Sequence, residues 1–260
     1  MPELREIFDE DAELYDRARP GYPDALLADL ANLAVIGPGT RVLEIGPGTG
    51  QATLALAATG AQIVALELGA SLAGRLSDKV AGHPVEVQVG AFEDWTPPAE
   101  PFDLVAAFTA WHWLDPAVRA ARVQAALRAG GALATVTTEH VLGGTAPFFA
   151  DAQECYVRWD PDTPSAVRLL PAEEVPPARD EIDDSEGFEP AVRRRYAQDV
   201  SYTARSYLDV LRTYSGHRAL APELRHGLLA CIERLIDARY GGAITKRYLY
   251  ELRVARARPA

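Results

Sequence analysis

The stretch Val42-Leu43-Glu44-Ile45-Gly46-Pro47-Gly48-Thr49-Gly50 decides the fold of this 260-residue chain. Its first half belongs to an apolar run, residues 41–45, of the kind that forms a buried strand. Three glycines at alternate positions then lead into a helix predicted over residues 51–59. Glycines placed in this way let the backbone approach a ligand closely, and the N-terminus of the next helix offers free amide groups to its polar atoms. The stretch therefore predicts a strand, a ligand-binding turn and a helix, in that order.

The spacing of the glycines indicates which kind of ligand is bound. The dinucleotide fingerprint, G-x-G-x-x-G, would need a glycine at position 51, where this chain has Gln51. The chain instead reads acid-x-G-x-G-x-G, and the acid is Glu44. This pattern resembles motif I of the class I S-adenosylmethionine (SAM)-dependent methyltransferases. The resemblance implies that SAM is the cofactor and that Glu44, Gly46, Gly48 and Gly50 bind it.

Composition argues against several classes of partner. The formal net charge of −11 disfavours nucleic acid, because proteins that bind a phosphate backbone carry a basic face. No apolar run reaches the roughly 20 residues that a membrane span needs. The charged residues 1–6 lack the apolar centre of a signal peptide, and the bias towards arginine favours a GC-rich bacterial genome. We therefore expect a cytoplasmic bacterial protein that binds neither nucleic acid nor membrane.

The chain has two cysteines, Cys155 and Cys231. They are far apart in the sequence and do not have the spacing of metal ligands. In a cytoplasmic protein, this predicts two free thiols and no metal site.

Downstream of the glycine loop, strand-like runs alternate with helix-like segments. Ser71 is expected to cap the first of these helices, and Asp115 followed by Pro116 to open the second, which Gly130 and Gly131 end. Strands separated by helices of about ten residues indicate βαβ units, which build a parallel, doubly wound sheet. The predicted strands cover residues 62–67, 85–89, 102–108 and 132–137, and the predicted helices cover residues 71–80 and 115–128.

Residues suited to bind a nucleoside follow the second and third strands. Ligands of doubly wound sheets bind beyond the carboxyl ends of the strands. Glu67 ends the second strand, where an acid can accept hydrogen bonds from ribose hydroxyls. Leu68 and Phe92 are expected to enclose an adenine ring, and Glu93 or Asp94 to reach its amino group. The alternative for each such acid is that it only caps the next helix.

Thr109 and the aromatic segment Trp111-His112-Trp113 follow the fourth strand. Thr109 is expected to contact the cofactor, and the two tryptophans to contact a methyl acceptor. His112 is the candidate catalytic base, because an imidazole with an ordinary pKa near 6.5 can remove a proton at neutral pH. The alternative is that His112 only lines the pocket.

The resemblance to class I methyltransferases extends over residues 38–140. It rests further on Phe102-Asp103-Leu104-Val105 and on Leu127-Arg128-Ala129-Gly130-Gly131, which match a strand and a turn of the family. It implies an α/β fold with a Rossmann-like, seven-stranded, mostly parallel sheet, helices on both faces, an antiparallel final hairpin, an N-terminal helical cap and a lid insertion. The aromatic segment 111–113 and Tyr15-Asp16-Arg17-Ala18-Arg19-Pro20 resemble the small-molecule branch of the family, the ubiquinone- and trans-aconitate-methyltransferase-like enzymes.

The whole chain, residues 1–260, is expected to form one methyltransferase domain. Its parts would be an N-terminal cap (1–36), a SAM-binding core (37–140), a lid insertion (141–189) and a C-terminal segment that completes the sheet (190–260). Further expected elements are an acidic helix at residues 8–15, a helical segment at 147–159, a mobile surface loop at 161–187, a strand at 191–202, helices at 203–215 and 222–240, and a last strand at 244–255.

The cap is expected to contribute to both ligand sites. By the resemblance, Tyr15 and Arg19 would bind the methionyl carboxylate of SAM, since an arginine fork suits a carboxylate. Tyr22 would contact the acceptor. The alternative is that Arg19 pairs with Asp9 or Asp11 on an outer helix.

Three classes of function follow from these residues. The leading one is SAM-dependent methyl transfer to O, N or C of a small molecule, by a monomer or a homodimer. The second uses the same SAM site for a non-methylating outcome, such as cyclisation of SAM or rearrangement of a metabolite. The third is a SAM-binding protein without catalytic activity.

Overall fold

The computed structural model describes residue 9, residues 11–160, residue 163 and residues 168–258. Within these, the chain divides into two compact units. Unit 1 comprises the described residues of Met1–Pro20, Glu139–Pro176 and Ala197–Leu249. Unit 2 comprises those of Gly21–Thr138, Pro177–Tyr196 and Tyr250–Ala260.

The described residues form ten helices and seven strands. In chain order these are α1 (Ala12–Ala18), α2 (Asp24–Ala34), β1 (Arg41–Ile45), α3 (Thr53–Ala57), β2 (Gln62–Glu67), α4 (Ala70–Lys79), β3 (Val85–Val89), β4 (Phe102–Phe108), α5 (Arg119–Ala126), β5 (Leu127–Val141), α6 (Ala146–Asp151), α7 (Gln153–Trp159), β6 (Val192–Thr203), α8 (Ala204–Arg212), α9 (Ser215–Ala219), α10 (Pro222–Arg239) and β7 (Ala243–Arg256).

The seven strands form one sheet in the order β3-β2-β1-β4-β5-β7-β6. β1 runs parallel to β2 and β4, β2 runs parallel to β3, and β4 runs parallel to β5. The last two strands form the antiparallel hairpin. Leu43 and Val105 on the central strands are fully buried, as expected for parallel strands covered on both faces. The predicted Rossmann-like fold is confirmed.

Two predicted helices are shorter than expected. The segment at 51–59 is helical only over Thr53–Ala57, because turns occupy residues 48–52 behind the left-handed Gly50. The segment at 115–128 is helical only over Arg119–Ala126. Asp115 does not open this helix, since its carboxylate accepts a hydrogen bond from the N–H of Ala117 in a preceding turn.

The prediction that Gly130 and Gly131 end a helix is wrong. The helix ends at Ala126, and both glycines lie inside β5, which begins at Leu127. Leu127 pairs with Phe102 of β4, and the register shifts between Phe102 and Leu104. Gly130, with a φ of 72°, takes up the irregularity that this shift requires.

The prediction of two free thiols is also wrong. Cys155 on α7 and Cys231 on α10 form a disulfide. The two helices pack side by side in unit 1 and bring together residues that are 76 positions apart in the sequence. Sequence spacing alone does not reveal such a pair, because tertiary packing creates it.

The segment 161–187 is only in part the surface loop that was expected. Residues 161–162 and 164–167 lie outside the described residues, as do residues 8 and 10 of the predicted acidic helix. Residues 177–187 belong to unit 2, where Ile182 is buried in the core, as is Phe188 directly after the segment. Among the described helices, none is both long and apolar enough to cross a bilayer.

Candidate functional site

The glycine loop after β1 can be built only from glycine at its key positions. Gly46, Gly48 and Gly50 have φ values of 64°, 59° and 89°, in the left-handed region that disfavours side chains. A Cβ on Gly46 would lie 2.7 Å from the Cβ of Ala110, and one on Gly50 would lie 2.6 Å from Cδ1 of Leu76. The loop is therefore in close contact with its neighbours. The N–H groups of its three glycines are bound within the protein, by the carbonyl oxygens of Leu66 and Pro47 and by the Glu67 carboxylate.

Glu67, at the end of β2, braces this loop. Its Oε2 accepts a hydrogen bond from the N–H of Gly48 at 2.8 Å, and its Oε1 accepts one from Gly69 at 2.9 Å. The residue before α4 is Gly69, and the side chain of Ser71 does not cap this helix as predicted. Glu67 thus binds the N–H of the residue before α4, in line with the alternative that it caps the next helix. It also binds the glycine loop, where a ribose is expected.

Glu44 is a buried carboxylate under the loop. It is 1% exposed, and neither carboxylate oxygen has a hydrogen-bond partner among the described residues. Burial raises the pKa of Glu44 to about 7; the nearby Thr53 hydroxyl offsets part of this rise without forming a hydrogen bond, and the charge of Glu67 adds to it. A buried carboxylate of this kind is stabilised by a cation. The ammonium group of SAM would supply one, so the loop and its two acids fit this cofactor.

The candidate adenine residues occupy different environments. Leu68 is half-buried, whereas Phe92 is buried in the hydrophobic core of unit 2. Glu93 is half-buried and accepts a hydrogen bond from the N–H of Asp115 at 3.1 Å, while Asp94 is exposed. Contact of these residues with adenine stays a prediction.

Thr109 and Tyr22 meet at the end of β4. The Tyr22 hydroxyl lies 2.8 Å from Oγ1 of Thr109, and the Tyr22 ring packs 4.9 Å from that of Phe108. Thr109 has a φ of 53°, which is strained for a β-branched residue. Tyr22 of the predicted cap is thus in contact with Thr109, whereas their expected roles at the acceptor and the cofactor stay predictions.

The segment Trp111-His112-Trp113 forms a single 3₁₀ turn after β4. Trp111 is buried in the core, and His112 is exposed and packs 4.9 Å from the ring of Trp113. Partial desolvation, followed by the positive charge of Arg119, lowers the pKa of His112. At pH 7 the imidazole is therefore mainly neutral and able to accept a proton.

Four charged residues that sequence reasoning missed hold this turn in place. Asp180 accepts a hydrogen bond from the indole N–H of Trp111 at 2.8 Å and binds the buried Arg253 through both carboxylate oxygens. Arg119 lies over the Trp111 ring, donates to its carbonyl oxygen at 2.6 Å and pairs with Glu181. The sequence signal was present but weak: an Asp-Glu pair inside a segment interpreted as a loop.

Tyr15 and Arg19 lie in unit 1. The Arg19 guanidinium donates to the carbonyl oxygen of Thr213 at 3.0 Å. It also lies over the rings of Tyr15 and Tyr214, at 5.1 and 4.8 Å. Their assignment to the methionyl carboxylate stays a prediction.

Unit 1 also contains a cavity of about 1050 Å³ that sequence reasoning missed. Its walls are mostly apolar and aromatic, with one buried lysine, Lys246. Phe149, Tyr156, Tyr207, Tyr214, His140 and His217 contribute rings to it.

Comparison with known proteins identifies the core. A family model described as a methyltransferase domain matches residues 42–131. An uncharacterized methyltransferase of Geobacillus kaustophilus is 33% identical over 125 residues, which are 44% of this chain and 56% of that protein. The chain spans about half the length of the curated relatives that it matches.

Solved structures share the fold. A SAM-dependent methyltransferase from Thiobacillus denitrificans, in complex with S-adenosylhomocysteine, has a TM-score of 0.54 at 16% identity, over 99% of both chains. The [4+2]-cyclase SpnF has a TM-score of 0.55 at 17% identity, over 100% of this chain and 97% of its own. At these identities the likeness concerns the fold alone. With the motif and the domain match, it follows that the chain carries a class I SAM-dependent methyltransferase domain, whose cofactor is SAM.

Proposed function

We propose that the protein transfers the methyl group of SAM to O, N or C of a small molecule, as enzymes of the small-molecule branch do. The observation that carries the proposal is the glycine loop with its two buried acids. Glu44 has no hydrogen-bond partner in the described part of the chain and suits a cation, and Glu67 stands at the loop, where a carboxylate oxygen can accept more than one hydrogen bond. SAM, when bound, supplies a methyl group already activated by the positive charge of its sulfonium.

The chain's own residues would bind and orient the reactants. In this proposal Glu67 binds the ribose hydroxyls, Glu44 faces the ammonium group, and the backbone of Gly46, Gly48 and Gly50 packs against the cofactor, which the absence of side chains at these positions allows. Leu68, Phe92 and Glu93 hold the adenine, and Thr109 contacts the cofactor near the reacting end. Tyr15 and Arg19 bind the methionyl carboxylate, and Tyr22, Trp111 and Trp113 contact the acceptor. Orientation supplies most of the rate enhancement in such a displacement.

His112 would act as the base if the acceptor carries a proton at working pH. It follows β4, it is exposed, and its lowered pKa keeps the imidazole neutral. Asp180 and Arg119 position the turn that carries it. The competing proposal, that His112 only lines the pocket, differs in its kinetic effect, as given in the Discussion.

The proposed partner is a small-molecule acceptor, with no nucleic acid and no membrane, for a cytoplasmic monomer or homodimer. The test is incubation of the purified protein with SAM labelled in the methyl group and a bacterial metabolite extract. Transfer of label to a small molecule is the expected result. Label that stays on SAM while calorimetry shows SAM binding would support a non-methylating reaction, and absence of SAM binding would reject the proposal.

A further inference from the structure

Lys246 is a buried lysine in the wall of the unit 1 cavity. It is 6% exposed, and its Nζ donates to the Tyr214 hydroxyl at 3.1 Å. The ammonium lies over the rings of Tyr214 and Tyr248, at 5.3 and 4.7 Å. Among the described residues, no carboxylate forms an ion pair with it. A buried ammonium has three donors and is costly to leave without an anion, so this one has capacity for a negatively charged ligand.

The surroundings of Lys246 add positive rather than negative charge. Burial alone would raise the pKa of the Tyr214 phenol, but the charges of Lys246 and Arg19 lower it. If Tyr214 were ionised, its phenolate would face two cations, Lys246 and Arg19, so a net positive charge would remain. Asp160 is the carboxylate among the described wall residues, and it accepts a hydrogen bond from the Thr163 hydroxyl. This local positive charge contrasts with the formal net charge of −11 for the chain.

The two histidines in the wall are neutral. Burial and the charge of Lys246 lower the pKa of His140 to about 3. Burial lowers the pKa of His217 to about 4. The negative charge of Asp160 opposes this shift, and the positive charge of Lys246 adds to it. His217 is hydrogen-bonded to Tyr156, whereas the buried Nε2 of His140 has no partner in the described part of the chain. The buried Oε1 of Gln153, another wall residue, likewise has no partner in the described part of the chain. The described wall thus has two unused neutral polar atoms beside its buried cation.

The remaining wall suits an apolar molecule. Aromatic and aliphatic side chains predominate, and about 1050 Å³ is at the upper end of the range for small-molecule sites. The described wall has one buried cation, Lys246, and one exposed cation, Arg168. Its buried part therefore matches a single negative charge better than a phosphate with two. The ligand chemistry that fits is an apolar body carrying one carboxylate or one acidic hydroxyl.

We propose that the unit 1 cavity binds an apolar organic monoanion, whose charged group pairs with Lys246 and whose body packs against the aromatic wall. All the residues of this site lie in unit 1. The proposed binding does not depend on the proposed methyl transfer and survives if that proposal fails.

The test compares two ligands of the same shape, 2-naphthoate and 2-naphthamide, by calorimetry at pH 7.5 with the full chain. The parent protein is expected to bind the carboxylate about tenfold more tightly than the neutral amide, which corresponds to about 1.4 kcal/mol. Lys246→Met keeps the length of the side chain and should reduce naphthoate affinity to that of the amide. Lys246→Arg should keep the preference. Lys79→Met, at the other lysine of the chain, should change neither affinity.

Equal affinity of the two ligands in the parent protein would overturn the proposal, and so would a preference that persists in folded Lys246→Met. If Lys246→Met does not fold, Tyr214→Phe provides the second arm. It removes the hydroxyl next to Lys246 but leaves the ammonium, so the preference should be kept or increased. Loss of the preference in Tyr214→Phe would mean that the phenol, and not Lys246, recognises the carboxylate.

Discussion

The carboxylate of Glu67 is hydrogen-bonded to the backbone N–H of Gly48 at 2.8 Å, which ties the end of β2 to the glycine loop after β1. The same side chain accepts a second bond from Gly69. Each carboxylate oxygen has two lone pairs, so both bonds can persist while a ribose hydroxyl is bound. One residue therefore shapes the loop and is proposed to contact the ligand.

Glu67→Gln should weaken binding of S-adenosylhomocysteine. The amide group of glutamine cannot accept from both N–H groups, so one backbone donor is left unpaired, which costs about 1–3 kcal/mol. Calorimetry should show an affinity loss of about tenfold or more. Glu86→Gln, at an exposed acid of β3, is the matched control. Affinity equal to that of the parent would show that Glu67 does not support the site.

Glu44→Gln should stabilise the protein without cofactor, and more so at high pH. The pKa of Glu44 rises from 4.5 to about 7 on folding. Because the pKa of Glu44 is higher in the folded protein, ionisation of Glu44 lowers the free energy of unfolding. This loss is absent below pH 4.5, grows as the pH rises and is complete above about pH 7, where it reaches about 3 kcal/mol. Urea unfolding at pH 5 and pH 8 measures it.

The difference in unfolding free energy between Glu44→Gln and the parent should be about 2 kcal/mol larger at pH 8 than at pH 5. Equal differences at the two pH values would show that the folded protein does not hold Glu44 with a raised pKa. The variant should also bind SAM less tightly, because the neutral amide no longer attracts the ammonium group.

His112→Ala should lower turnover by about 100-fold if His112 is the base. The pKa of His112 is lowered by desolvation and by Arg119, so activity of the parent should fall only as the pH drops below 6.5. The variant should lose this acidic limb of the pH profile. His83→Ala, at an exposed histidine, is the control. If the activity of the variant still falls at acidic pH and only its acceptor affinity is lost, His112 lines the pocket and is not the base.

Reduction of the disulfide between Cys155 and Cys231 should destabilise unit 1. The bond closes a loop of 76 residues, for which the chain-entropy model gives about 4 kcal/mol. Guanidinium unfolding with and without reductant measures the loss. The double variant Cys155→Ala/Cys231→Ala should be insensitive to reductant. Two titratable thiols in the native, unreduced protein would contradict the bond.

Val35→Gly should stabilise the protein by about 0.5–1 kcal/mol. Val35 follows α2 with a φ of 55° and is 73% exposed, so it carries the strain of a left-handed β-branched residue without packing in return. Glycine removes that strain, which raises the free energy of unfolding. It also increases the conformational entropy of the unfolded chain, which offsets part of this gain. Urea unfolding checks this, and Val192→Gly on exposed β6 should instead destabilise.

The first four strands match the sequence-based prediction residue for residue. β1, β2 and β4 are largely buried parallel strands and read as apolar runs, whereas β3, at the edge of the sheet, shows alternating valines. The start of β5 does not match. Leu127 reads as the end of a helix, and only its pairing with Phe102 makes it a strand residue. Long-range pairing of this kind is not contained in local periodicity.

The functional residues divide in the same way, into those that a local motif predicts and those that depend on tertiary packing. Glu44 and Glu67 were predicted because a motif fixes their places, whereas the cavity in unit 1 depends on helices that are distant in sequence. A signal for Lys246 did exist: it alternates with Ile244 and Tyr248 on one face of β7, and that face is buried. A lysine on an apolar face predicts a buried charge, but whether an acid lies beside it depends on tertiary packing.

Gly46 and Ala110 approach so closely that the residue tolerated at one position depends on the residue at the other. A Cβ at position 46 would lie 2.7 Å from the Ala110 methyl group, so the two sites share the space of a single methyl. A side chain at position 46 would therefore require glycine at position 110, whereas a larger residue at position 110 cannot be compensated at position 46, which has no side chain to lose. In a designed or related sequence, a bulky residue at position 110 would signal a displaced glycine loop even where all three glycines are intact.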